Sequence, residues 1–396
     1  MLMFDAELKV YDDTGNLKPA IRAIEEHRTK LHNAEAVSEA VKRWRNAPED
    51  QELQAALLKA VADRDAHAPP KPLPKAVAVP GVRGDFPAGI LGAEGQGGAF
   101  LSEGSVCVLA GAGGVAKTAL TLGIAADFAL AEDGATLCDG LFRADTGGGP
   151  VLFLTYEDPA PVIAWKLREL KAYVEDGEET LNRIHVMDMM GHPLFGPGAR
   201  AGGASGLYNA RPEPLSGWAA MEAECDRTEP RLIVIDPATA AFTGEANAAG
   251  PVREFMTALA GFARDRKCGI MVIAHTNKAS RGRDADPLDP GATGGSTHWT
   301  DAGRGCLVLD WKPDSWGGDA GDLVLAVAKS NWGPSRIWCD VEPVRYNNGG
   351  AVIGVNLKPG AGWEKGSPKA KSGSKGKKAN VDKTRDRGRR HRAQPV

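Results

Sequence analysis

The run Val106-Cys107-Val108-Leu109-Ala110-Gly111-Ala112-Gly113-Gly114-Val115-Ala116-Lys117-Thr118 places an apolar strand, a glycine-rich turn and a Lys-Thr pair directly before a helical pattern that continues from Ala119. Backbone N–H groups of such a turn and of the helix N-terminus converge on an anion. Lys117 is then expected to neutralise β- and γ-phosphates, and the Thr118 hydroxyl to hold Mg²⁺. Residues Gly111 to Ala119 form the expected nucleotide cradle: Gly111, Ala112, Gly113, Gly114, Val115, Ala116, Lys117, Thr118 and Ala119. Ala116 stands where the phosphate-loop pattern has its second glycine. If φ is positive there, alanine costs on the order of 1 kcal/mol.

Three further strand ends carry groups that suit phosphoryl chemistry. Leu232-Ile233-Val234-Ile235-Asp236 reads as a buried strand delivering a carboxylate that can orient a Mg²⁺-bound water. Val151 to Thr155 is followed by Tyr156-Glu157-Asp158-Pro159, and Glu157 is the expected base toward an attacking water. The alternative is that Glu157 and Asp158 cap the next helix. Ile270-Met271-Val272-Ile273-Ala274-His275 ends on an imidazole placed to contact a γ-phosphate, or simply to serve the strand end structurally.

Positioning these groups requires alternating strands and helices. Expected strands are 106–110, 151–155, 183–186, 232–236, 270–275, 306–310, 323–328 and 352–356; expected helices are 118–131, 161–174, 215–227 and 252–266. This rhythm predicts an α/β domain over 82–360, a mostly parallel sheet flanked by helices. The last three strands lack intervening helices and are expected to form an antiparallel edge. Gly191–Arg211 and Lys278–Thr300 read as long glycine-bearing loops.

Outside that domain, residues 1–67 show helical spacing (Ala20, Ile21, Ile24; Leu53, Leu57, Leu58, Val61), and the proline-rich stretch 68–81 reads as a linker. The segment 361–396 has the composition of a disordered basic tail. From Lys365 onward Lys and Arg exceed Asp382 and Asp386 by about 10 charges, so the rest of the chain carries about −13 behind an overall −3. The six cysteines form no C-x-x-C pair, which argues against a zinc knuckle or a thioredoxin-like centre. No basic region followed by an apolar stretch opens the chain, and no run approaches a membrane span; a cytoplasmic protein without a membrane partner is expected.

In order and spacing, these elements resemble the RecA-like hexameric ATPases over about residues 100–357, most closely the RepA family of plasmid and phage replicative helicases. Tyr156-Glu157-Asp158-Pro159 looks like that family's base-bearing stretch, and Asp236-Pro237 is similar to its aspartate strand end. His275-Thr276-Asn277-Lys278, Gly294 to Arg304 and Lys329-Ser330-Asn331-Trp332-Gly333 resemble its further motifs. The resemblance implies a RecA-like fold, ATP as substrate with Mg²⁺, Glu157 as catalytic base, and a homohexamer whose sites lie between subunits. It also implies that Arg304 reaches a neighbouring subunit's γ-phosphate, assisted by Lys329. A planar, permanently charged guanidinium suits that task.

Single-stranded DNA is the implied partner. No base-reading motif is present, so contact is expected from Lys278, Arg281 and Arg283, with Arg200 and Arg211 on a second loop and the basic tail adding salt-sensitive affinity. Two other readings compete with a helicase: a RecA-like DNA-binding ATPase such as a recombinase or loader, and a nucleotide-binding module without turnover. Glu157, Asp236 and Arg304 together argue against the last, because a pure binder has no use for a base and a finger.

Overall fold

A computed structural model describes residues 88–171, 177–197, 212–246, 248–275, 286–289, 297–319, 321–348 and 350–367. The expected helical region 1–67, the linker 68–81, the tail beyond 367, and Arg200, Arg211, Lys278, Arg281 and Arg283 lie outside the described residues.

In chain order the elements are β1 (Gly89–Ala93), β2 (Leu101–Ser102), β3 (Ser105–Gly111), α1 (Lys117–Phe128), β4 (Thr136–Leu137), β5 (Phe142–Ala144), β6 (Val151–Thr155), α2 (Ala160–Lys171), α3 (Gly177–Asn182) and β7 (Ile184–Asp188). There follow β8 (Phe195–Pro197), β9 (Pro212–Pro214), α4 (Ser216–Thr228), β10 (Leu232–Asp236), α5 (Ala238–Ala241), α6 (Ala249–Arg266), β11 (Gly269–His275), α7 (Thr297–Ala302), β12 (Gly305–Trp311), β13 (Leu323–Ser330), β14 (Ile337–Arg345), β15 (Val352–Leu357) and β16 (Glu364–Lys365).

The main sheet has ten strands in the order β15-β14-β13-β12-β3-β11-β10-β6-β7, with β16 beside β14. From β12 through β7 every pairing is parallel; from β12 to β15 every pairing is antiparallel. The fold is therefore a mixed α/β arrangement, with the phosphate-loop strand β3 second in the parallel half, between β12 and β11. Alternation along the strands divides the core. Cys107, Leu109, Val234, Met271 and Ile273 face the layer containing α1, while Val106, Val108, Ala110, Ile235 and Val272 face the layer containing α6. Both faces are covered, which is why these strands read as continuous apolar runs. Helix α1 is buried nearly all round, from Ala119 to Phe128, with β15 among the elements that pack on it.

Several expectations need correction. The strand 305–311 is not part of a purely antiparallel edge: Gly305 to Val308 run parallel to Cys107 to Ala110, and only its other side is antiparallel. Strand β14 was not expected, and it separates β13 from β15. Its Pro343 and alternating charges hid it, yet its Ile337, Cys339 and Val341 are buried and complete the α1 layer. The end of the expected loop 278–300 is helical, since α7 begins at Thr297. A small sheet, β2-β1-β5-β4, frames the region before and after α1. The folded unit also runs past residue 360: Trp363 donates its indole N–H to Leu141 O at 2.9 Å, and Ile337 pairs with Lys365. Among the described residues no helix is long and apolar enough to cross a membrane.

Candidate nucleoside-triphosphate site

Parallel strands in register bring the singled-out groups to one edge. His275 lies opposite Gly111, and Asp236 lies opposite Thr155. The carboxyl ends of β3, β11, β10 and β6 thus stand side by side, the place where open parallel sheets bind ligands.

The loop between β3 and α1 has the backbone its sequence requires. Gly111 is pressed against β12, and any Cβ there would come within 2.0 Å of Leu309 O. A Cβ on Gly113 would meet nothing within 4 Å, so the loop's outer side is open to a ligand. Ala116 takes φ 66° and ψ 28°, the left-handed region, immediately before α1. The cost expected for alanine at this position therefore applies. Ala116 gives no side-chain cap, which leaves the first N–H groups of α1 available to an anion.

Lys117 is 4% exposed. Its ammonium donates to Gly111 O (3.0 Å) and Ala112 O (2.7 Å) and meets His275 Nδ1 at 3.3 Å. An ammonium has no lone pair to offer, so Nδ1 accepts and the ring proton sits on Nε2. Nε2 faces Glu157 Oε1, 3.7 Å away. Burial and the Lys117 charge lower the His275 pKa, so the ring is neutral at pH 7. Glu157 itself stands in the turn after β6, with its side chain 62% exposed.

Thr118 donates its hydroxyl to Asp236 Oδ2 at 2.6 Å. Asp236 is 6% exposed, and burial raises its pKa to about 6; the Thr118 hydrogen bond opposes that rise, and the nearby Glu157 charge adds to it. A buried carboxylate near other carboxylates and beside a hydroxyl is a fitting place for a hard divalent cation. Thr118 and Asp236 would hold Mg²⁺. Among the described residues no three His, Cys, Asp or Glu side chains form a cage, so phosphate oxygens and water would complete its shell.

Two positioning groups were not anticipated. The Thr155 hydroxyl donates to Asp158 O at 2.6 Å, closing the turn that carries Glu157. Asp158 pairs with Lys166 at 2.7 Å and is thereby committed to α2, leaving Glu157 as the carboxylate on the site side of the turn. A Thr at a strand end before two carboxylates was the available signal.

Arg304 lies elsewhere. Its backbone N–H bonds to Val106 O at the amino end of β3. Gly111 is five residues farther along, about 16 Å at 3.3 Å per residue. The exposed Arg304 side chain cannot span that length to its own loop. Lys329, on the neighbouring strand, donates to Thr300 O (3.0 Å) and Asp301 O (2.9 Å), closing the C-terminus of α7, and burial lowers its pKa.

Strand order, loop geometry and the grouping of Lys117, Thr118 and Asp236 define an α/β domain with a candidate phosphate-binding loop at the carboxyl edge of its parallel strands. Residues 95–281 match the family model described as an AAA domain, a segment just under half the chain that runs from the small sheet past His275. A KaiC-like protein from the hyperthermophilic archaeon Pyrococcus horikoshii OT3 is similar at 15% identity, over 69% of this chain and 98% of that one, with a TM-score of 0.41. No curated protein sequence matches the chain.

Proposed function

We propose that this chain hydrolyses ATP with Mg²⁺ as a RecA-like motor, and that it is a hexameric DNA helicase of the RepA kind acting on single-stranded DNA in plasmid or phage replication. The observation that carries the hydrolase reading is the convergence of Lys117, Thr118–Asp236, Glu157 and His275 on four adjacent strand ends. In this reading Lys117 leaves the carbonyls of Gly111 and Ala112 for the phosphate oxygens, and Glu157 orients the attacking water and takes its proton. His275, released by Lys117, contacts the γ-phosphate and reports its loss to the turn bearing Glu157. Bound Mg²⁺ would neutralise charge across the β- and γ-phosphates.

The oligomeric part of the proposal is supported by the placement of Arg304, which leaves a neighbouring subunit's site as the one its guanidinium can serve. The helicase part rests on the motif resemblance together with the basic residues 278, 281 and 283 beyond β11. Phosphate release measured with and without single-stranded DNA, beside strand displacement on a forked duplex, tests it. ATP turnover stimulated by DNA and duplex separation are both expected, and Lys117→Ala should abolish both. Turnover intact in Lys117→Ala would sink the site assignment. Stimulated turnover without displacement would replace the motor with a loader or recombinase.

A further inference from the structure

Beyond the phosphate groups, we infer that Trp311 is the stacking platform for the base of the bound nucleotide. The inference rests on the P-loop reading and extends it to the nucleoside end of the ligand. Trp311 is the last residue of β12 and is 49% exposed, the one exposed aromatic side chain among the described residues. The other described tryptophans are engaged: Trp299, Trp338 and Trp363 donate their indole N–H groups to backbone carbonyls. Trp165, Trp218 and Trp316 pack on neighbouring rings, and Trp332 is half-buried with a partner of its own.

Position makes this exposure informative. β12 lies directly beside β3 and parallel to it, and Leu309 O is the atom pressed against Gly111. Trp311 comes two residues later, so its Cα lies about 7 Å beyond that contact, toward the carboxyl ends of the parallel strands. Side chains alternate along the strand: Leu307 and Leu309 belong to the α1 layer, and Trp311 shares their face. Its cross-strand partner Leu323 is buried in the same layer. Lys312, on the opposite face, is held by Asp340 and lies over Trp338. The result is an exposed apolar ring on the strand beside β3, two residues beyond the contact that Leu309 makes with Gly111. Every base presents a π-face, so a ring placed this way binds bases by stacking without reading their edges.

Equilibrium binding of ATP and of inorganic tripolyphosphate to the full chain separates this from the P-loop reading. Trp311→Ala should weaken ATP about 5- to 100-fold and leave tripolyphosphate unchanged. Lys117→Ala should weaken both; tripolyphosphate bound equally well by Lys117→Ala would break the P-loop reading instead. Should the alanine variant not fold, Trp311→Phe and Trp311→Leu decide the matter. Phenylalanine should keep ATP affinity, whereas leucine, of similar bulk without a ring, should lose it. In turnover the ring's removal should raise KM with kcat little changed. Equal loss of ATP and tripolyphosphate in Trp311→Ala overturns the inference. So does unchanged ATP affinity, or a Leu variant indistinguishable from Phe.

Discussion

The two ends of the central sheet differ in what they contain. At the carboxyl end, Lys117, Thr118, Asp236, Glu157 and His275 stand together, with a buried lysine whose ammonium is held by loop carbonyls and a buried carboxylate whose pKa is raised to about 6. At the amino end, Arg304 stands exposed at the start of β12, beside a Lys329 that closes α7. One end gathers the ammonium, hydroxyl, carboxylates and imidazole of the candidate site. The other presents an exposed guanidinium beside the amino end of β3. Under the proposed function, the chain's chemistry is divided between ends that would meet only where one subunit packs against another. Parallel strands enforce this, since residues at opposite ends of β3 and β12 cannot approach within one chain.

The strongest way to break that comparison is Arg304→Ala. Loss of the guanidinium is expected to lower kcat by about 10³-fold or more, with ATP affinity retained. Mixing this variant with Lys117→Ala subunits should restore part of the turnover, because each mixed interface can combine an intact loop with an intact arginine. Phosphate release across mixing ratios, with co-assembly confirmed by sedimentation, checks it; no recovery at any ratio would make the amino end inert.

Next in size is Glu157→Gln, which tests the carboxyl end. Loss of the base should reduce kcat by about 10²- to 10⁴-fold while ATP still binds. Rapid-quench turnover with ATP reads this directly. Asp158→Asn serves as the contrast: its carboxylate is tied to Lys166, so a small loss of stability with turnover nearly intact is expected. A kcat loss as large as that of Glu157→Gln would reverse the two roles.

The smallest expected effect sharpens the loop itself. Ala116→Gly removes the left-handed strain at φ 66°, offset in part by the extra freedom glycine gives the unfolded chain. A net stabilisation of up to about 1 kcal/mol is expected. Urea unfolding of the two proteins measures it, and a destabilised glycine variant would mean that the loop tolerates alanine without strain.

Much of this could be read in the sequence, for local reasons. The strand, turn and Lys-Thr helix start are contiguous, so the loop Gly111–Thr118 and the missing glycine at Ala116 were visible, and the backbone then supplied the positive φ that alanine adopts there. The apolar runs ending in Asp236 and His275 announced buried parallel strands, because a strand covered on both faces cannot alternate. β14 was hidden because it carries Asp340, Glu342, Pro343 and Arg345, a pattern that reads as a connection. Its pairing with β13 and β15, rather than its own propensity, makes it a strand.

What the sequence determined alone was therefore the set of groups and the elements carrying them: a phosphate loop, strand-terminal Asp236 and His275, and a carboxylate turn at Glu157. What only the tertiary structure decided was their company. Strand order put His275 between Lys117 and Glu157 and sent Arg304 to the far end of the same sheet. It left Trp311 exposed on the strand beside β3 while the other described tryptophans were buried or half-buried. Spacing along a chain fixes which residues share an element; which elements become neighbours is set by long-range pairing and by burial of both sheet faces.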